Sequence, residues 1–133
     1  MARTRGTVLV VDDEAPVLEV LRRYLTRAGY QIQVAPNGAA ALQLLHSGPV
    51  PDLIVLDLMM PVMSGFEVLG TLRANRGWAG IPVIVLTATT GYSADHLDVG
   101  ALLAKPFNVE DVEAAIQAAL ASRRKKGTRK RKK

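Results

Sequence analysis

Five short apolar runs alternate along the chain with five stretches of helical spacing, and few residues are left over for loops. Thr7–Val11, Leu53–Leu56 and Pro82–Leu86 are apolar at almost every position, not at every second one. A strand with that pattern is stable only where both of its faces are covered, which is the situation in a parallel sheet with helices on either side. Gln31–Ala35 alternates and reads as a strand with one wetter face; Ala101–Ala104 is a short fifth strand. The intervening segments carry helix signals. Pro16 stands in a first turn, Val17, Leu18, Leu21 and Leu25 follow at helical spacing, and Gly29 ends the run. Asn37-Gly38 opens a second helix closed by Ser47-Gly48-Pro49, and Phe66 to Leu72 forms a third, broken by Arg76-Gly77-Trp78-Ala79-Gly80. Residues 90–99 give a weak, short fourth helix, and Val109 to Ser122 a fifth, with Asn108 as its cap. Strand–helix order repeated five times, with right-handed crossovers, predicts an α/β doubly wound five-stranded parallel sheet.

At 133 residues and 49% apolar, the chain suits one domain with one sizeable core. It has no cysteine, which excludes disulfides, thiol nucleophiles and Cys-based metal sites. His46 and His96 are too few for a His-rich metal site and read as surface residues. Trp78, in its Gly-flanked loop, reads as a hydrophobic plug. No apolar run approaches the length of a membrane span, and the apolar stretch Val8–Val11 meets three acids at once, which is wrong for a signal peptide. A cytoplasmic protein is expected.

The net charge of +5 conceals two unlike parts. Nine of the 17 Lys and Arg lie in the last eleven residues, Arg123 to Lys133, which contain none of the 12 Asp and Glu. Residues 1–122 are therefore mildly acidic. The segment 123–133 is low in complexity and self-repelling, and it is expected to be a disordered basic tail. The plain reading is a solubilising polycation. The sharper one is non-specific attachment to nucleic acid, by phosphate neutralisation and without base stacking, since the tail has no aromatic residue.

Sheets of this kind bind ligands at the carboxyl ends of their strands, where the strand order switches. Strand one ends in Asp12-Asp13, strand three in Asp57, strand four in Thr87 and strand five in Lys105. Each is unremarkable alone: acids favour helix starts, and Thr and Lys are common at strand ends. Their joint placement on one edge is what points to chemistry. If strands one and three are neighbours, three carboxylates converge, and a hard divalent cation such as Mg²⁺ relieves their repulsion. Lys105 and Thr87 add a positive charge and a hydroxyl donor, making a cradle in which Asp57 can attack a phosphoryl group in line.

The pieces VLVVDDE at 8–14, LIVLDLMMPVMSG at 53–65, VIVLTA at 83–88 and AKPF at 104–107 together resemble the receiver domain of two-component response regulators. The resemblance spans roughly residues 7–121 and implies a flavodoxin-like strand order 2-1-3-4-5, with 1–122 as the receiver domain. It implies that Asp57 is the phosphoacceptor for a phosphohistidine on a sensor histidine kinase or phosphotransfer protein, as in a phosphorelay. It further implies that Asp13, Asp57 and the main-chain carbonyl of Met59 ligate Mg²⁺, with Asp12 acting through metal-bound water. Thr87 and Lys105 would bind the phosphoryl oxygens, and Ala88 would leave room beside them. Met59 and Thr89 flank the site and are expected to tune hydrolysis. Such domains catalyse their own phosphorylation from small donors and their own slow dephosphorylation, and they signal to a downstream effector protein.

Two departures stand out. The stretch from Thr87 to Lys105 is a few residues short for the family, and Leu102 occupies the position of the usual fifth-strand aromatic. No output domain accompanies the receiver pattern, so a stand-alone receiver is expected. The alternative is a nucleic-acid-associated protein that uses the basic tail, with the receiver fold as a regulatory or scaffold module. A magnesium-dependent phosphohydrolase is a third, weaker reading, since no cap or substrate-sized insertion is present.

Overall fold

The computed structural model describes residues 4–88 and 91–131, with side chains through residue 123. Along it run β1 (Thr7–Val11), α1 (Ala15–Arg27), β2 (Gln31–Ala35), α2 (Gly38–Ser47), β3 (Leu53–Asp57), α3 (Gly65–Ala74), β4 (Val83–Thr87), α4 (Ala94–Leu97), β5 (Ala101–Ala104) and α5 (Val109–Arg131). The strands form one all-parallel sheet in the order β2-β1-β3-β4-β5. Parallel pairing follows from the doubly apolar runs: Leu53–Leu56 and Val8–Val11 are buried at every position.

Successive side chains along a strand point to opposite faces, and the core divides accordingly. Leu9, Val11, Ile54, Leu56, Val83 and Val85 meet Ala41 and Leu45 of α2 and Val68, Leu69 and Leu72 of α3. Val8, Val10, Leu53, Val55, Ile84 and Leu86 meet Leu21 and Leu25 of α1 and Val112 and Ile116 of α5. Trp78 is buried in the first cluster, and the exposed His46 ring packs on it at a steep angle, with ring centroids 4.8 Å apart.

The starts of α2 and α3 are set by short polar side chains. Asn37 Oδ1 accepts from the Ala40 N–H at 2.7 Å, and Ser64 and Glu67 form a reciprocal capping box at the head of α3. The chain leaves α1 through Gly29 at φ +106°, a backbone conformation in which a side chain would be strained.

Three boundaries differ from expectation. Asp57 and Thr87 end their strands as expected, but β4 starts at Val83, one residue later than expected, because Pro82 has no N–H for the ladder. The helix expected over 90–99 contracts to the single turn of α4, capped by Ser93 and ended by Asp98 in the left-handed region at φ +56°. That turn is secured from outside: Arg73 of α3 donates to the carbonyls of Leu97 and Asp98, both at 2.6 Å. The backbone of α5 continues through Arg131, so the boundary expected at 122/123 falls inside a helix. The expected disorder of 123–133 falls largely on residues whose side chains lie outside the described ones.

Candidate functional site

The switch in strand order lies between β1 and β3, and the acidic residues collect there. Asp12 follows β1, Asp57 ends β3, and the carboxylates of Asp12, Asp13 and Asp57 offer oxygens within 4.8 Å of one another. Asp12 and Asp57 are 1% and 4% exposed, whereas Asp13 is open to solvent. The Asp57 Oδ1 accepts the Met59 N–H at 3.2 Å, and the Asp12 Oδ1 accepts the Glu14 N–H at 2.9 Å.

Lys105 completes the pocket from the β5 side. Its backbone N–H donates to the Thr87 carbonyl at 2.9 Å, extending the β4–β5 ladder past the end of β5. That bond brings the side chain back over the strand ends, where Nζ donates to Asp12 Oδ2 at 2.8 Å, Glu14 Oε2 at 2.8 Å and Asp57 Oδ2 at 3.5 Å. Thr87 is buried at the β4 end, and Ala88 beyond it is exposed. Thr89 lies outside the described residues.

The backbone under Asp57 is tightly packed. The Gly65 N–H donates to the Leu58 carbonyl at 2.9 Å, and a Cβ on Gly65 would stand 2.6 Å from Leu58 Cα and against the Asp57 carbonyl oxygen. Only glycine allows α3 to start this close to the end of β3.

Burial raises the pKa of the Asp57 carboxyl above the usual carboxylate value; the Met59 N–H opposes it, the Asp12 charge adds to it, and Lys105 offsets part of it. Burial alone would lower the Lys105 ammonium. Its hydrogen bonds to Asp12 and Glu14, with the charges of Asp12 and Asp57, outweigh that effect, so its pKa is raised and it stays protonated. The pocket thus holds a partly desolvated carboxylate, a fixed cation and oxygen donors for a hard metal, the requirements for transferring a charged phosphoryl group.

The sequence-predicted residues Asp12, Asp13, Asp57 and Lys105 come together, with Thr87 on the neighbouring strand end. Glu14 is a further residue of the pocket, which the sequence pattern does not mark. It sits one place past the acid pair, where it reads as a helix-start acid, and only the return of Lys105 from β5 shows its use. Leu102 of β5 is partly buried and packs on the α2/α3 side of the sheet, so no ring occupies that place.

Comparison with known proteins agrees with this geometry. Residues 8–117 match the family model described as the response regulator receiver domain. The transcriptional regulatory protein KdpE of Mycobacterium tuberculosis is 46% identical over 117 residues, covering 85% of this chain and 50% of that protein. The probable transcriptional regulator ycf27 of Guillardia theta is 38% identical over 122 residues, covering 88% of this chain and 46% of its own length. The chain therefore spans about half the length of these relatives. Among solved structures, the response regulator TrrA from Thermotoga maritima superposes with a TM-score of 0.74 at 35% identity, over 85% of this chain and 97% of that one. The receiver domain of the Francisella response regulator 1452 gives a TM-score of 0.79 at 27% identity, over 89% of this chain and 98% of its own. Sheet order, pocket and sequence agree: the chain belongs to the response regulator receiver domain family.

Proposed function

We propose that Asp57 is the phosphoacceptor of a response regulator, taking a phosphoryl group from a phosphohistidine of a sensor histidine kinase or phosphotransfer protein. The observation that carries this reading is the convergence of Asp12, Asp13 and Asp57 under the Lys105 ammonium at the β1/β3 switch point. In the transfer, an Asp57 oxygen forms a bond to phosphorus as the phosphorus–imidazole bond breaks; the imidazole nitrogen keeps the electron pair and takes up a proton. Lys105 neutralises a phosphoryl oxygen, Thr87 donates its hydroxyl to another, and the small side chain of Ala88 leaves room for the group.

The donor set fits Mg²⁺. It consists of hard oxygens, one carboxylate is solvent-open, and retained waters can complete the shell. Asp13, Asp57 and the Met59 carbonyl would hold the ion directly, with Asp12 acting through water. When bound, the ion neutralises the carboxylates and the phosphoryl oxygens. TrrA, similar in fold and 35% identical, was solved in complex with Mg²⁺–BeF, which supports the same occupancy here.

The experiment is intact mass after incubation with acetyl phosphate and Mg²⁺. A single added phosphoryl group is expected, dependent on Mg²⁺ and absent in Asp57→Asn. No adduct in the wild type, together with no beryllofluoride binding, would overturn the reading. Among the described residues no helix is long and apolar enough to cross a membrane, and a kinase-fed receiver of this kind would act in the cytoplasm on a downstream effector protein.

A second role rests on the C-terminal end of α5. Arg123 donates to the Asp52 carbonyl at 2.8 Å, at the entry to β3 and so on the sheet edge opposite Asp57. The nine basic residues of 123–133 start from that edge. Residues 1–122 then form the receiver and 123–133 a basic tail that binds nucleic acid non-specifically, without covering the acceptor.

A further inference from the structure

Three carboxylates share the Lys105 ammonium, and they do not hold it equally. An ammonium has three N–H donors. Those of Lys105 face Asp12 at 2.8 Å, Glu14 at 2.8 Å and Asp57 at 3.5 Å. The partners differ most in solvent access. The Asp12 side chain is 1% exposed and the Glu14 side chain 57%. Glu14 is also fixed at its backbone, because its N–H donates to the other oxygen of Asp12 at 2.9 Å. Asp12, Lys105 and Glu14 therefore close a ring of hydrogen bonds, of which the Glu14 side chain is the one exposed arm.

A phosphoryl group on Asp57 needs a Lys105 N–H directed at one of its oxygens. To supply more of the ammonium, Lys105 must loosen a bond. Releasing Asp12 would leave a buried carboxylate short of a partner, which is expensive. Releasing Glu14 leaves its carboxylate in water. The exchange therefore runs through Glu14.

We infer that Glu14 is a positioning residue that competes with the incoming phosphoryl group for the Lys105 ammonium. The inference rests on the reading of Asp57 as acceptor. It makes the sharing of Lys105, beyond the acid pair itself, a determinant of how readily Asp57 is phosphorylated and how long the group stays. Exposed ion pairs are weak, so removing the competitor should act by a factor of about two to five.

The test is Mg²⁺–beryllofluoride affinity, measured on the full chain for the wild type, Glu14→Gln, Lys105→Gln and the double variant, beside Mg²⁺ affinity alone. Far-ultraviolet circular dichroism confirms that each variant is folded. Glu14→Gln is expected to tighten beryllofluoride binding about two- to fivefold, to leave Mg²⁺ affinity unchanged, and to have no effect in the Lys105→Gln background. Unchanged or weaker beryllofluoride binding would overturn the inference. So would the same gain in the absence of Lys105, which would mean simple repulsion of the anion, or an equal gain in Mg²⁺ affinity, which would mean action on the metal. A wild type that binds Mg²⁺–beryllofluoride while Glu14→Gln changes nothing would sink only this inference; a wild type that neither binds it nor takes a phosphoryl group would sink the acceptor reading as well.

Discussion

At the scale of single residues, Asp57 is held at a cost to the fold. Asp57 is buried beside Asp12, and its pKa is raised, first by burial. A carboxyl whose folded pKa lies above its unfolded value binds its proton more tightly in the folded chain. Its contribution to stability is therefore present below the ordinary carboxylate pKa and is lost as pH rises through the folded value. With metal chelated, Asp57→Asn should be more stable than the wild type at pH 7. The difference should shrink as pH falls below about 4, the usual carboxyl range. Urea melts at both pH values check this; an advantage that grows on acidification would contradict it. Lys105 retains Asp12 and Glu14 as partners in that variant, so its own ion pairs do not cancel the effect.

Among the elements, α4 is the atypical one. A single turn cannot hold itself together, since helix nucleation is unfavourable and only propagation offsets it. Here Arg73 supplies what length does not, by donating to the Leu97 and Asp98 carbonyls. Arg73→Ala should lower global stability by about 1 kcal/mol. Amide exchange at Val99 and Gly100, whose N–H groups bond Ala94 and Val83, should accelerate more than that at the β4 amides. Hydrogen exchange followed by NMR distinguishes this from uniform loosening. The same element marks the limit of what the sequence discloses. The five strands were legible because their apolar runs need two covered faces. Asp12, Asp13, Asp57, Thr87 and Lys105 were legible because each closes or follows such a run. The shortness of α4 was legible in the short stretch from Thr87 to Lys105, but not what holds its single turn, because that is an arginine 24 residues from Leu97 in the chain. Nor was the left-handed backbone of Val62 at φ +69°, a conformation that is rare for a β-branched residue. Glu14 stayed hidden for the same reason: its partner lies 91 residues away.

In the whole molecule, the two sheet edges carry opposite chemistry. The acidic pocket and Lys105 occupy the carboxyl edge, while Arg123 bonds Asp52 at the other. The hydrophobic side chains of α5 that pack on the core, from Val109 to Leu120, all precede the basic segment. Deleting residues 124–133 should therefore change folding stability by less than about 0.5 kcal/mol and leave the rate of phosphorylation from acetyl phosphate unaltered. It should abolish salt-dependent binding to duplex DNA, measured by fluorescence anisotropy. The full chain should lose affinity with added salt at a slope of roughly −0.9 per phosphate neutralised. A deletion that slows phosphorylation would show that the two edges are coupled.

The Arg123–Asp52 tie has a consequence for the odds of the molecule's states. Because the basic segment departs from the far rim, occupancy at one pole does not obstruct the other. On the proposed roles, capture on a polyanion and receipt of a phosphoryl group would then be statistically independent events, whose probabilities multiply. Their coincidence is set by ionic strength through one factor and by the supply of phosphodonor through the other.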